Sequence, residues 1–80
     1  GVKLPALNVY PNPANHSIQV EWFKEEIGGK YQLINMSGQK ILEADVNAQT
    51  TTIDVSNLPS GVYSLKTHYS ITTVIISPNN

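Results

Sequence analysis

"IDVSNLPSGVYSLKT", residues 53 to 67, holds two alternating runs on either side of a Leu-Pro-Ser segment. In the first run Ile53 and Val55 share one face, and Asp54 and Ser56 take the other. In the second, Tyr63, Leu65 and Thr67 oppose Val62, Ser64 and Lys66. A period of two is that of a half-buried strand. Between the runs Pro59 fixes φ, and Gly61 permits a backbone shape that side chains avoid. The stretch therefore predicts two strands joined by a stiff corner, with Tyr63 just beyond it.

The same period runs through the rest of the chain. Ile18, Val20 and Trp22 alternate with Gln19 and Glu21, and Tyr31 and Leu33 alternate with Lys30 and Gln32. "LNVY", "QKILEADV" and "ITTVIIS" supply further apolar or β-branched runs. About seven short strands at this spacing predict an all-β, immunoglobulin-like antiparallel sandwich. Its expected core is Leu7, Val9, Ile18, Val20, Trp22, Leu33, Leu42, Ile53, Val55, Leu58, Tyr63, Leu65 and Ile75. Leu58, Gly61 and Tyr63 resemble the tyrosine corner of such sandwiches. There a buried ring covers the sheet edge, and its hydroxyl bonds a backbone group a few residues upstream.

Turn chemistry places the connections. In "WFKEEIGGK", Gly28-Gly29 is expected to close a hairpin rather than end a helix. In "NMSG", Asn35 opens a type I turn and Gly38 takes the left-handed position that rejoins the ladder. "DVNAQT" reads as a polar loop. "HYSI" should turn the last hairpin although it has neither Gly nor Asn. Pro11 and Pro13 lack backbone donors and bar "YPNPAN" from a central strand. Pro13 also holds Asn12 extended. The plainest role for this stiff corner is to carry the chain from one sheet to the other.

Composition limits the function. Eighty residues make one small domain, near the lower limit for burying a core unaided. There is no cysteine to staple it or to bind metal as thiolate. Five lysines, no arginine and a formal net charge of −1 argue against nucleic-acid binding. No apolar stretch reaches the length of a membrane helix. "GVKLPALN" lacks the charged-then-apolar opening of an export leader.

Catalytic chemistry finds little support. His16 and His68 lie at no metal-like spacing, so no metal or cofactor is expected. Glu21, Glu25 and Glu26 near one loop read as solvated acids. Ser17, Ser37, Ser56 and Ser60 lie in or beside turns, without the context of a nucleophile elbow. "NHS" and "NMS" match a common glycosylation pattern and carry little weight. A carbohydrate-binding module is the alternative reading, using exposed rings among Tyr10, Trp22, Phe23, Tyr31 and Tyr69. Trp22 should point inward by parity, leaving Phe23 and Tyr69 as the rings to expect at the surface. An inert spacer is the other alternative.

Three motifs in order carry a family resemblance: "VYPNPAN" (9 to 15), "YQLINMSGQKIL" (31 to 42) and "IDVSNLPSGVY" (53 to 63), followed by the alternating hairpin "SLKTHYSITTVIIS". Together they resemble the type A C-terminal sorting domain of the type IX (Por) secretion system of Bacteroidetes. The resemblance implies a folded address label, not an enzyme, spanning residues 1 to 80 with 1 to 6 as upstream linker. Its partners are an outer-membrane translocon, a surface sortase cutting upstream of Leu7, and a cargo domain in the same chain. The implied route is the periplasm, then the cell surface or the medium. The residues that carry the motifs are Pro11, Asn12, Pro13, Gly38, Leu58, Pro59, Gly61 and Tyr63. Asn35 and Gln39 stand where the family usually has Asp and Arg. Thr72 and Thr73 replace the lysines that usually flank the last strand.

Overall fold

The computed structural model describes residues 6 to 77. Most of the expected linker, residues 1 to 5, lies outside them. Among the described residues seven strands form: β1 (Asn8–Tyr10), β2 (Ser17–Glu21), β3 (Lys30–Ile34), β4 (Lys40–Asp45), β5 (Thr50–Asp54), β6 (Gly61–Thr67) and β7 (Ile71–Ile76). The only helix among the described residues is a 3-10 turn at Lys24–Glu26. The strands form two antiparallel sheets, ordered β1-β2-β5 and β4-β3-β6-β7. This is the expected immunoglobulin-like sandwich.

The inward faces of both sheets meet in one core. Ile18, Val20, Leu33, Val55, Leu65 and Val74 are fully buried, and each such side chain contributes about 1.5–3 kcal/mol relative to exposure. Trp22, just past β2, packs against Tyr31 of the opposite sheet with ring centroids 5.2 Å apart. Its indole N–H donates to Thr51 Oγ1 at 2.8 Å, so the buried ring leaves no orphan donor.

Ile75 does not join the core. Three aliphatics in a row, Val74, Ile75 and Ile76, leave the parity of β7 open. Pairing decides it, because residues directly opposite on neighbouring strands point to one face. Val74 pairs with the buried Tyr63 and Ile75 with the exposed Val62. Val74 and Ile76 are therefore the core residues of β7. Val9, Leu42 and Leu58 only pack against the core as partly buried residues, while Ala14, Tyr31 and Val46 complete it. Tyr31 is thereby withdrawn from any exposed aromatic platform. Val46 also makes "DVNAQT" less polar than its composition suggests.

Two connections differ from expectation. Gly28-Gly29 does not close a hairpin, because β2 and β3 lie in different sheets. The segment crosses between them, and Gly28 N–H donates to Val46 O while Val46 N–H donates to Gly29 O, both at 2.8 Å. The Pro11-Asn12-Pro13 corner, conversely, does not change sheets. It joins β1 to β2, which pair directly.

The turn between β6 and β7 works without glycine or asparagine. Thr67 Oγ1 accepts from the backbone N–H of Tyr69 at 3.1 Å and of Ser70 at 2.9 Å. It supplies the acceptor that a turn otherwise takes from an Asn or Asp side chain. That hydroxyl donates in turn to Glu26 at 2.9 Å, and the Ser70 hydroxyl donates to the same carboxylate oxygen. Glu26 is thus buried, at 2 % exposure, and not a solvated acid.

Candidate functional site

The Pro-Asn-Pro corner is built against the last strand. β7 is the edge of its sheet, and an edge strand leaves a row of unpaired backbone groups. Asn12 meets that row as a peptide group would. Its Nδ2 donates to Thr73 O at 3.0 Å, and its Oδ1 accepts from Ile75 N–H at 2.9 Å. Ala14 continues the contact as true backbone: its N–H donates to Ile75 O at 2.9 Å, and its carbonyl accepts from Ser77 N–H at 2.8 Å. Leu7 N–H adds a bond to Thr72 Oγ1 at 2.7 Å. Neither Pro11 nor Pro13 has an N–H to leave unpaired, so the segment covers the edge without creating a new one.

The tyrosine corner arrives at the same place from the other side. Tyr63 is buried, and its hydroxyl donates to Pro59 O at 2.6 Å, four residues upstream. This ties the crossing from β5 to β6. Gly61 opens β6 at φ +154 with nothing close to where a Cβ would stand, so its backbone conformation rather than crowding calls for glycine. Gly61 pairs with Ile76 across β6 and β7, and Ile76 bridges to Ala14. The "YPNPA" and "LPSGVY" motifs therefore flank the end of β7 on its two sides.

The third motif lies beside them. Gly38 takes φ +84 and donates to Asn35 O at 3.0 Å. Asn35 Oδ1 accepts from the N–H of Ser37 and of Gln39, both at 2.9 Å. Asn35 to Ser37 line a shallow depression of about 190 Å³ with Ser60 and Gly61. The three motifs thus approach one another where β6 begins and β7 ends. Val62 and Ile75 stand exposed on the outer face of the four-stranded sheet. The partners of Asn12 and Ala14 on and just past β7, namely Thr73, Ile75 and Ser77, escape a sequence reading because strand pairing alone sets them. The only hint is that an Asn side chain can stand in for a peptide group.

The other titratable groups are dispersed. His16 lies before β2, with Nδ1 2.8 Å from Asn15 Oδ1, and His68 sits edge-on to Tyr69 in the last turn. Among the described residues no three metal-ligating side chains come together. The Ser56 hydroxyl and amide hold Asp54 below its usual range. Gln32 and Lys40 do the same for Glu43. These are solvent-exposed turn and ladder contacts, not an acid–base pair.

Tyr63→Phe is expected to cost about 1 kcal/mol by leaving the Pro59 carbonyl unpaired in part-buried surroundings. Gly61→Val should cost about 1–3 kcal/mol through backbone strain. Denaturant midpoints measure both, and unchanged midpoints in both variants would contradict the corner geometry.

The sequence matches the family described as "Secretion system C-terminal sorting domain" over residues 8–76. No curated protein matches the chain.

Proposed function

The chain belongs to the type IX secretion C-terminal sorting domain family of Bacteroidetes, a family of sorting signals and not of enzymes, and from that membership we propose that its folded surface at β7 is what the outer-membrane translocon reads. The recognised elements are Pro11, Asn12 and Pro13 on one side of β7 and Leu58, Pro59, Gly61 and Tyr63 on the other, with the Gly38 turn beside them. A cargo in the same chain crosses the periplasm with this label attached and emerges at the cell surface or in the medium. A surface sortase then cuts upstream of Leu7.

One observation carries this reading: the side chain of Asn12 fastens the proline corner to the edge of β7. Two motifs far apart in sequence thereby present one rigid surface. Thr72 and Thr73 stand where the family usually carries lysines, and Val62 and Ile75 are exposed nearby. The contact is accordingly apolar and hydrogen-bonding rather than ionic.

A fluorescent reporter with a periplasmic signal, ending in residues 1 to 80, tests it in a host with the type IX machinery. The fusion should reach the surface. Asn12→Asp keeps an acceptor for Ile75 N–H but sets a carboxylate against Thr73 O, and it should leave most of the reporter in the periplasm. Asn12 is exposed, so the domain itself should lose only about 1 kcal/mol. An inert spacer predicts equal export of both forms. Failure of the unaltered fusion, where an established family member is exported, would refute the proposal.

A further inference from the structure

The outer face of the three-stranded sheet plays no part in the surface described above, yet it is ordered by its own hydrogen bonds. Asn8, Glu21 and Thr50 stand in one row across β1, β2 and β5, because Asn8 pairs with Glu21 and Glu21 with Thr50. Tyr10, Gln19 and Thr52 form the next row. Asn8 Nδ2 donates to Glu21 Oε1 at 2.8 Å, and the Tyr10 hydroxyl donates to Glu21 Oε2 at 2.9 Å. The bond to that carboxylate also raises the Tyr10 hydroxyl above its usual range. At the end of the first row lies an open groove of about 420 Å³, lined by Asn8, Glu21, Phe23, Gln49 and Thr50 among others.

We propose that this groove binds a neutral oligosaccharide, with the Phe23 ring against a sugar face and the Asn8–Glu21–Thr50 row bonding its hydroxyls. Three features select that ligand class. A sugar ring offers an apolar C–H face to an aromatic ring and a rim of hydroxyls that both donate and accept. The groove supplies the counterparts: a carboxylate that only accepts, two amides that do both, and a threonine hydroxyl. Its charge disfavours the acidic alternatives, because Glu21 and Asp54 face outward on this sheet and its three strands carry no lysine, although Lys24 follows Phe23 directly. Phosphates and uronic acids therefore meet repulsion at the Asn8–Glu21–Thr50 row. The mutual bonds of Asn8, Tyr10 and Glu21 hold these groups in place before a ligand arrives, which lowers the ordering cost of binding. The site lies on the sheet opposite the β7 surface and does not depend on the sorting role.

The test is an amide-shift titration of the 80-residue chain with uncharged hexaoses of glucose and of mannose, up to about 10 mM. Trigalacturonate serves as the anionic control. At least one neutral hexaose should give saturable shifts centred on Asn8, Glu21, Phe23 and Thr50, and trigalacturonate none. Phe23→Ala should weaken binding roughly tenfold. Glu21→Gln, which alters no buried group, should also weaken it. Tyr69→Ala, at the last turn, should leave it unchanged. Absence of saturable shifts with every neutral hexaose, shifts centred on the four-stranded sheet, or tighter binding of trigalacturonate would each overturn the proposal.

Discussion

Glu26→Ala is expected to destabilise the domain by about 3 kcal/mol, because it strips the hydroxyls of Thr67 and Ser70 of their shared acceptor in a dry site. Ser70 is fully buried and Thr67 nearly so, and water is poorly placed to replace the carboxylate. The chain's whole stability is about 4–12 kcal/mol by the usual scaling with length, so this single change consumes much of it. Glu26→Gln keeps one acceptor oxygen and should cost only about 1 kcal/mol. Urea denaturation measures both. The loss should concentrate in the β6–β7 hairpin, where amide exchange would accelerate first, since Thr67 and Ser70 hold that turn. Equal midpoints for the alanine variant and the parent would mean that Glu26 is not the anchor of the turn.

Removal of residues 61 to 80 from the reporter fusion should abolish export altogether. The deletion takes β6 and β7, and with them the buried Tyr63, Leu65, Val74 and Ile76. It leaves β3 with β4 as its only partner. It also removes both backbone partners of Asn12. Core and proposed recognition surface thus disappear together, and the reporter should accumulate in the periplasm. The milder Asn12→Asp change separates the two causes, since it spares the core. Residual surface reporter from the truncated fusion would indicate a linear signal within residues 1 to 60 and would rule out a folded one.

Strand positions were legible because one buried face per strand imposes a period of two. Ile18 to Trp22, Tyr31 with Leu33, and Ile53 to Leu65 all follow it. Where both parities were apolar, as at Val74-Ile75-Ile76, the register against β6 decided which residues faced inward, and register is a long-range property. The same holds for the connections. "GG" between two strands suits a hairpin, yet nothing local tells Gly28 and Gly29 whether the next strand returns to the same sheet. The tyrosine corner was readable because its bond spans only four residues. The burial of Glu26 was not, since its partners stand 41 and 44 positions away. Each motif is local in sequence, whereas their approach around β7 rests on pairings between the chain's two ends.

The bonds of Asn12 span 61 and 63 positions, which gives them a meaning in time as well as in space. A nascent chain makes "YPNPA" early and must then wait for almost all the rest of the domain before Thr73 and Ile75 exist. Contacts of such range form late in folding, after the closure of the long loop between them. A cargo whose translation stops early, or whose tail is clipped, carries the proline corner with nothing to hold it. A receptor that reads the clasped shape would then discriminate finished proteins from fragments without inspecting the cargo at all: one asparagine turns completeness of synthesis into a surface.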